Sequence, residues 1–135
     1  MITQLNFAEE LRYPDDASGI TIPVLLTYRG KSLRVAAKVD TGAQVCLFVQ
    51  EVGLRLGLPV EQGTPIILSS ISGSVDAFGH DVVLQTGALA FEGLVYFARY
   101  PGLPRNVLGR QGWLRNLRMA VVDYDCLLYL GAYDS

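Results

Sequence analysis

Two runs of alternating apolar residues dominate the first third of the chain. Ile20, Ile22, Val24 and Leu26 take every second position, and after Arg29-Gly30-Lys31 so do Leu33, Val35, Ala37 and Val39. A period of two puts the apolar members on one face of a strand, so the runs predict a hairpin with one buried side. The second run delivers Asp40 at its end. Cys46 to Val49 predicts a short apolar strand. In Gln50 to Pro59, Val52 and Leu56 have helical spacing, Gly57 suits a helix stop and Pro59 blocks continuation. One or two helical turns are expected there. Thr64 to Ile71 and Val75 to Leu84 predict a second hairpin, turning at Ser72-Gly73-Ser74. Its tip is small and polar and has little to bury, so it is expected to project and move.

Thr86-Gly87 turns the chain again. Leu89, Phe91, Val95 and Phe97 predict a strand pair, broken or bulged at Glu92-Gly93. After the loop from Tyr100 to Arg105, Asn106-Val107-Leu108-Gly109 reads as a short strand. Arg110 to Leu117 reads as a second short helix, with Trp113, Leu114 and Leu117 on one face. Met119 to Val122 and Cys126 to Leu130 predict terminal strands joined by Asp123-Tyr124-Asp125. Strands at a spacing of about 8–12 residues with only two short helices argue for an all-β sandwich or barrel. Residues 1–18 form an N-terminal arm ahead of a domain at 19–135. In that arm Leu5, Phe7, Ala8 and Leu11 leave a short helical face and a loose arm both open, before the breaker cluster Tyr13-Pro14-Asp15-Asp16.

Composition narrows the function. A length of 135 residues fits one domain, and 50% hydrophobic against 18% charged residues marks a globular chain. The net charge of -2 is spread along the sequence and gives no footprint for nucleic acid. Cys46 and Cys126 make neither a disulfide framework nor a zinc spacing, and His80 is the one histidine. No metal or cofactor is expected. Met1 to Pro14 has no basic or apolar leader pattern, and no apolar run approaches the roughly 18 residues that span a bilayer. No membrane partner is expected, and the cytoplasm is the expected location. His80 reads as a structural histidine, and Asp15, Asp16, Asp123 and Asp125 as solvated turn carboxylates. The serines lie in no recognisable triad context.

The stretch Lys38 to Phe48 places a carboxylate and a hydroxyl on a glycine turn between apolar β-formers. An ionised, unpaired carboxylate in an apolar setting costs several kcal/mol. Either the turn brings Asp40 to the surface or a partner meets it. Asp-Thr-Gly by itself also fits a plain turn, and a chain this long holds Asp-(Ser/Thr)-Gly by chance roughly once in fifteen. The order of features adds to it: a clean alternating strand, Asp40-Thr41-Gly42-Ala43, a polar hairpin tip, then Val107-Leu108-Gly109-Arg110.

In that order these features resemble the retropepsin-like aspartic peptidases, over about residues 20–130. The segment Glu51 to Leu58 also looks like the helix after the catalytic strand in bacterial members. The resemblance implies a single-domain closed β-barrel or sandwich with a flap hairpin and one or two short helices. It implies Asp40 as the catalytic acid and base, and Thr41 hydrogen-bonding across a dimer beneath the site. Gly42 would let the backbone approach substrate, with Ala43 completing the motif. Ser70, Ile71, Ser72 and Gly73 would form the flap over a bound peptide, and Arg110 would brace the active-site loop. At Gln44 the chain departs from the viral members, which carry there an Asp paired with the helix arginine. Hydrolysis of this kind uses one ionised and one protonated carboxyl around a shared water. The chain offers one Asp-(Ser/Thr)-Gly, so the second carboxylate must come from a second copy on a two-fold axis. The expected function is a homodimeric aspartic endopeptidase acting on peptide or protein substrates. The alternative is a silent module of the same fold that binds or scaffolds.

Overall fold

The computed structural model describes residues 1–71 and 73–134. In chain order its strands are β1 (Glu9–Arg12), β2 (Thr21–Tyr28), β3 (Lys31–Val39), β4 (Leu47–Phe48), β5 (Thr64–Ser70), β6 (Gly73–Thr86), β7 (Leu89–Ala98), β8 (Asn106–Leu108), β9 (Leu117–Val122) and β10 (Leu127–Ala132). One helix, α1 (Gln50–Arg55), follows β4.

The alternating runs become β2 and β3. Arg29 and Gly30 join them with φ of 47° and 80°. Two successive positive φ values give a turn whose twist matches that of the flanking strands. Ile22, Val24 and Leu26 are almost fully buried, as are Ala37 and Val39 on the facing strand. Each large aliphatic side chain so buried contributes about 1.5–3 kcal/mol.

The pairing then runs β2-β3-β8-β4-β7-β6, and β6 pairs back to β2 through Leu26↔Leu84, which closes a six-stranded barrel. Closure leaves these strands no open edge. The core holds Phe48 and Phe97, stacked at 5.8 Å, with Val95, Leu84, Leu108 and Trp113 around them. Val52 of α1 and Leu56 just after it are buried, as their spacing predicts, and Gly57 follows with φ of 75°. β5 lies outside the ring and pairs with β6, so the two project as a hairpin.

Three local expectations change. Leu89 to Ala98 is one continuous strand in unbroken antiparallel register with β6, with no bulge at Glu92-Gly93. Gly93 has a different use: a Cβ there would lie 2.4 Å from the Gly112 carbonyl oxygen, so the glycine admits a neighbouring loop. The helix expected over Arg110 to Leu117 is only a 3-10 turn at Leu114–Asn116. Gly112, with φ of 95°, and backbone hydrogen bonds from Arg110 and Gln111 to the 43–44 turn divert the start of that segment from helical geometry. The burial pattern survives, since Trp113 and Leu117 are both buried.

The third change is in residues 1–18. Glu9–Arg12 is a strand, paired antiparallel with β10 in a sheet ordered β1-β10-β9. Its alternating half-buried and exposed residues are a strand pattern that the short apolar spacing concealed. The Tyr13 hydroxyl donates to the Asp123 carboxylate and fastens the segment to the β9–β10 turn.

Gly93→Ala should cost about 3 kcal/mol, because its Cβ would meet backbone and not a movable side-chain end. Gly30→Ala, with open space around it but φ of 80°, should cost about 1–2 kcal/mol. Urea unfolding of the two variants checks the order; equal losses would contradict this account of Gly93.

Candidate active site

Asp40 stands one residue past the end of β3, where two chain segments are locked together through their backbones. The Asp40 N–H donates to the Leu108 carbonyl at 2.9 Å, extending the parallel β3–β8 pairing. The Ala43 N–H then donates back to the Asp40 carbonyl at 3.1 Å, closing the turn. Arg110 and Gln111 donate to the carbonyls of Ala43 and Gln44, each at 2.9 Å. Segment 40–45 is thereby bonded to segment 108–111 at three points, none of which depends on a side chain.

Close approach makes this possible. A Cβ on Gly109 would stand 2.1 Å from the Val45 carbonyl oxygen, so only glycine fits where the segments cross. Beneath the crossing, the buried Cys46 Sγ accepts the Gly109 N–H at 3.3 Å. Burial pushes the Cys46 thiol up to about 11. Cys46 therefore stays a neutral thiol and serves as packing and acceptor, not as a nucleophile.

A second support comes from Asn106 at the start of β8. It is almost fully buried, its amide nitrogen donates to the Ala36 carbonyl at 2.9 Å, and its oxygen accepts the Val49 N–H at 2.9 Å. One side chain thus ties β3 to the segment after β4. Asn106 was not singled out among the candidate site residues. Its signal was a polar side chain opening an apolar strand.

The barrel end presents the Asp40 carboxylate to solvent. Asp40, Thr41 and Gly42 are exposed. The Gly42 N–H donates to Asp40 Oδ1 at 2.9 Å, which fixes one carboxylate oxygen and leaves the other open. Of the two resolutions open to a carboxylate between apolar strands, the single chain takes exposure. Thr41 has no hydrogen-bond partner among the described residues.

The structure brings Asp40, Thr41, Gly42, Ala43 and Arg110 into one assembly. Arg110 contributes through its backbone; its side chain is exposed and has no hydrogen-bond or ion-pair partner among the described residues. The flap candidates stand apart at the tip of the β5–β6 hairpin. Ser70 pairs with Gly73, the Ser70 hydroxyl donates to the Gly73 carbonyl at 3.2 Å, and Ile71 is fully exposed. Ser72 lies outside the described residues. His80 is structural, as expected, with Nε2 at 2.9 Å from the Val60 carbonyl.

This architecture has counterparts among solved structures. A retropepsin-like aspartic protease from Rickettsia conorii superposes with a TM-score of 0.66 at 16% identity, over 90% of this chain and 98% of that one. The EIAV protease in complex with the inhibitor HBY-793 gives a TM-score of 0.50 at 22% identity, over 67% of this chain and 80% of that one. The chain has the retropepsin-like aspartic protease fold over most of its length. No protein-family model and no curated protein sequence matches it.

Asn106→Ala would strand the Val49 N–H and the Ala36 carbonyl, and should cost about 2–3 kcal/mol. Thermal unfolding measures it, and a loss below about 0.5 kcal/mol would contradict the role given to Asn106.

Proposed function

We propose that this chain is an aspartic endopeptidase whose active site is completed by a second copy, with Asp40 from each forming the catalytic pair. The observation that carries the reading is Asp40 itself: solvent-facing, oriented by the Gly42 N–H, and mounted on a crossing that backbone bonds hold rigid. A solitary exposed carboxylate needs no such mounting. Catalysis does, because a reacting group displaced by an ångström loses much of its rate advantage.

Two carboxyls about 4 Å apart repel, when both are ionised, by roughly 4 kcal/mol at an effective dielectric of 20. The pair therefore retains one proton near neutral pH. The ionised member takes a proton from water as the water oxygen attacks the peptide carbonyl carbon. The protonated member gives its proton to the carbonyl oxygen, forming a tetrahedral diol. The newly protonated member then gives its proton to the amide nitrogen while the ionised member takes one from a diol hydroxyl, so the C–N bond breaks, amine and carboxylic acid leave, and the pair again holds one proton. Thr41, which has no hydrogen-bond partner among the described residues, would bond across the two-fold axis. The Ser70–Gly73 hairpin tip covers the peptide, with Ile71 as its exposed apolar contact. The free Cys46 and Cys126 fit a reducing compartment, in this reading the cytoplasm.

One observation favours a second reading, a silent binding module of the same fold. The Arg110 side chain has no acceptor among the described residues, and Gln44 is uncharged. In that case the protein sediments as a monomer at high concentration and cleaves nothing.

The peptidase reading predicts that Asp40→Asn folds normally and lowers turnover of a peptide mixture by at least about 10³-fold. Equal turnover in wild type and variant would refute it. The pH profile of kcat/KM should be bell-shaped, with one limb for each proton state of the pair.

A further inference from the structure

Lys38 lies two residues before Asp40 on β3. Ala37 and Val39 face the core, so Lys38 faces outward with Ala36. It lines a depression of about 560 Å³ together with Arg105, Leu103, Pro104, Val49 and Thr21. Two of the lining residues are cations and none is a carboxylate. Neither cation has a hydrogen-bond or ion-pair partner among the described residues. Lys38 is half-buried, and its stem is seated against Gly19, where a Cβ would come 3.1 Å from the Lys38 Cε. Nearby, Asp16 Oδ1 accepts both the Ser18 N–H at 2.8 Å and the Ser18 hydroxyl, and no ion pair joins Asp16 to Lys38 among the described residues.

The depression shares its framework with the Asp40 turn. Lys38 pairs with Val107 of β8, and the next residue of β8, Leu108, accepts the Asp40 N–H. Two residues along a strand span about 7 Å, the reach of one side chain from a bond held at Asp40. The loop 100–103 also lines a second depression, with Ser74, Val75 and Asp76 on the hairpin strand β6. Leu103 borders both, so the loop runs from the tip half of the hairpin to the cationic depression.

We propose that the enzyme selects peptides carrying a glutamate or aspartate beside the bond it cuts, with the acid held between Lys38 and Arg105. This inference rests on the Asp40 pair set out above and names its substrate class. An acidic side chain supplies a charged partner to the half-buried Lys38 and to the exposed Arg105, neither of which has one among the described residues. An apolar side chain would strip water from Lys38 and return nothing. In a two-fold dimer each copy contributes one such depression, one on either side of the bond.

The test compares peptides that differ only by Glu, Gln or Leu beside the cleaved bond. Wild type should favour Glu over Gln by about tenfold in kcat/KM at low salt, less at high salt. Lys38→Met with Arg105→Met should bring the ratio to about one, and Lys38→Arg should keep it. Cleavage that depends on Asp40 but shows no acid preference would overturn this inference and leave the peptidase reading intact. Non-cleavable versions of the same peptides, titrated into Asp40→Asn protein, read the preference without turnover. Tighter binding of the Glu form that the double methionine variant loses supports the acid site at Lys38 and Arg105; if wild type cuts none of the peptides, the peptidase reading falls, and with it the placement of that site beside a cut bond. Equal binding of all three forms overturns it.

Discussion

The site depends on one close approach, between Gly109 and the carbonyl of Val45. A Cβ at Gly109 would sit 2.1 Å from that oxygen, inside any tolerable contact. Because the position is glycine, segment 108–111 reaches segment 40–45 closely enough for backbone to bond backbone on both sides of the crossing. A carboxylate mounted there does not rely on side-chain packing for its orientation. The same economy recurs one layer away, where Gly93 admits the Gly112 carbonyl and lets the loop carrying Trp113 fold against β7.

The closed barrel gives the crossing a rigid support. β3 and β8 run parallel into it, β4 leaves it toward β7, and the Asn106 amide binds the two sides. Outside the ring stand the parts that need freedom: the β5–β6 hairpin with its exposed Ile67 and Ile71, and the loop 100–103 facing it. On the proposed peptidase reading, a firmly held carboxylate and an exposed hairpin would suit a site that closes on an extended peptide.

Much of this was legible in the sequence, for physical reasons. Strict alternation from Ile20 to Val39 can satisfy only a half-buried hairpin, and that hairpin is β2 and β3. The short α1 was legible because Gly57 and Pro59 leave it no room to continue. Gly93 misled, since a glycine inside an apolar run signals a bulge as readily as a close approach, and only the distant Gly112 decides between them. The segment after Gly109 misled in the same way. Its apolar spacing suits a helix, but bonds to Ala43 and Gln44, more than 60 residues earlier, fix its start, and only a 3-10 turn at Leu114–Asn116 forms. Asn106 and Cys46 were opaque as site residues because their roles consist of contacts with remote backbone. The motif around Asp40 stood out in the sequence, whereas its backbone mounting did not.

The central claim is that each active site draws one Asp40 from each of two copies. Subunit mixing tests it directly. Wild type and Asp40→Asn protein are combined in varying proportions, allowed to exchange, and assayed for peptide cleavage at constant total protein. If every working site needs two intact carboxylates, activity falls as the square of the wild-type fraction, to about a quarter at equal mixing. Activity that falls in direct proportion, to about a half at equal mixing, would mean that each chain works with its own Asp40 and would contradict the account.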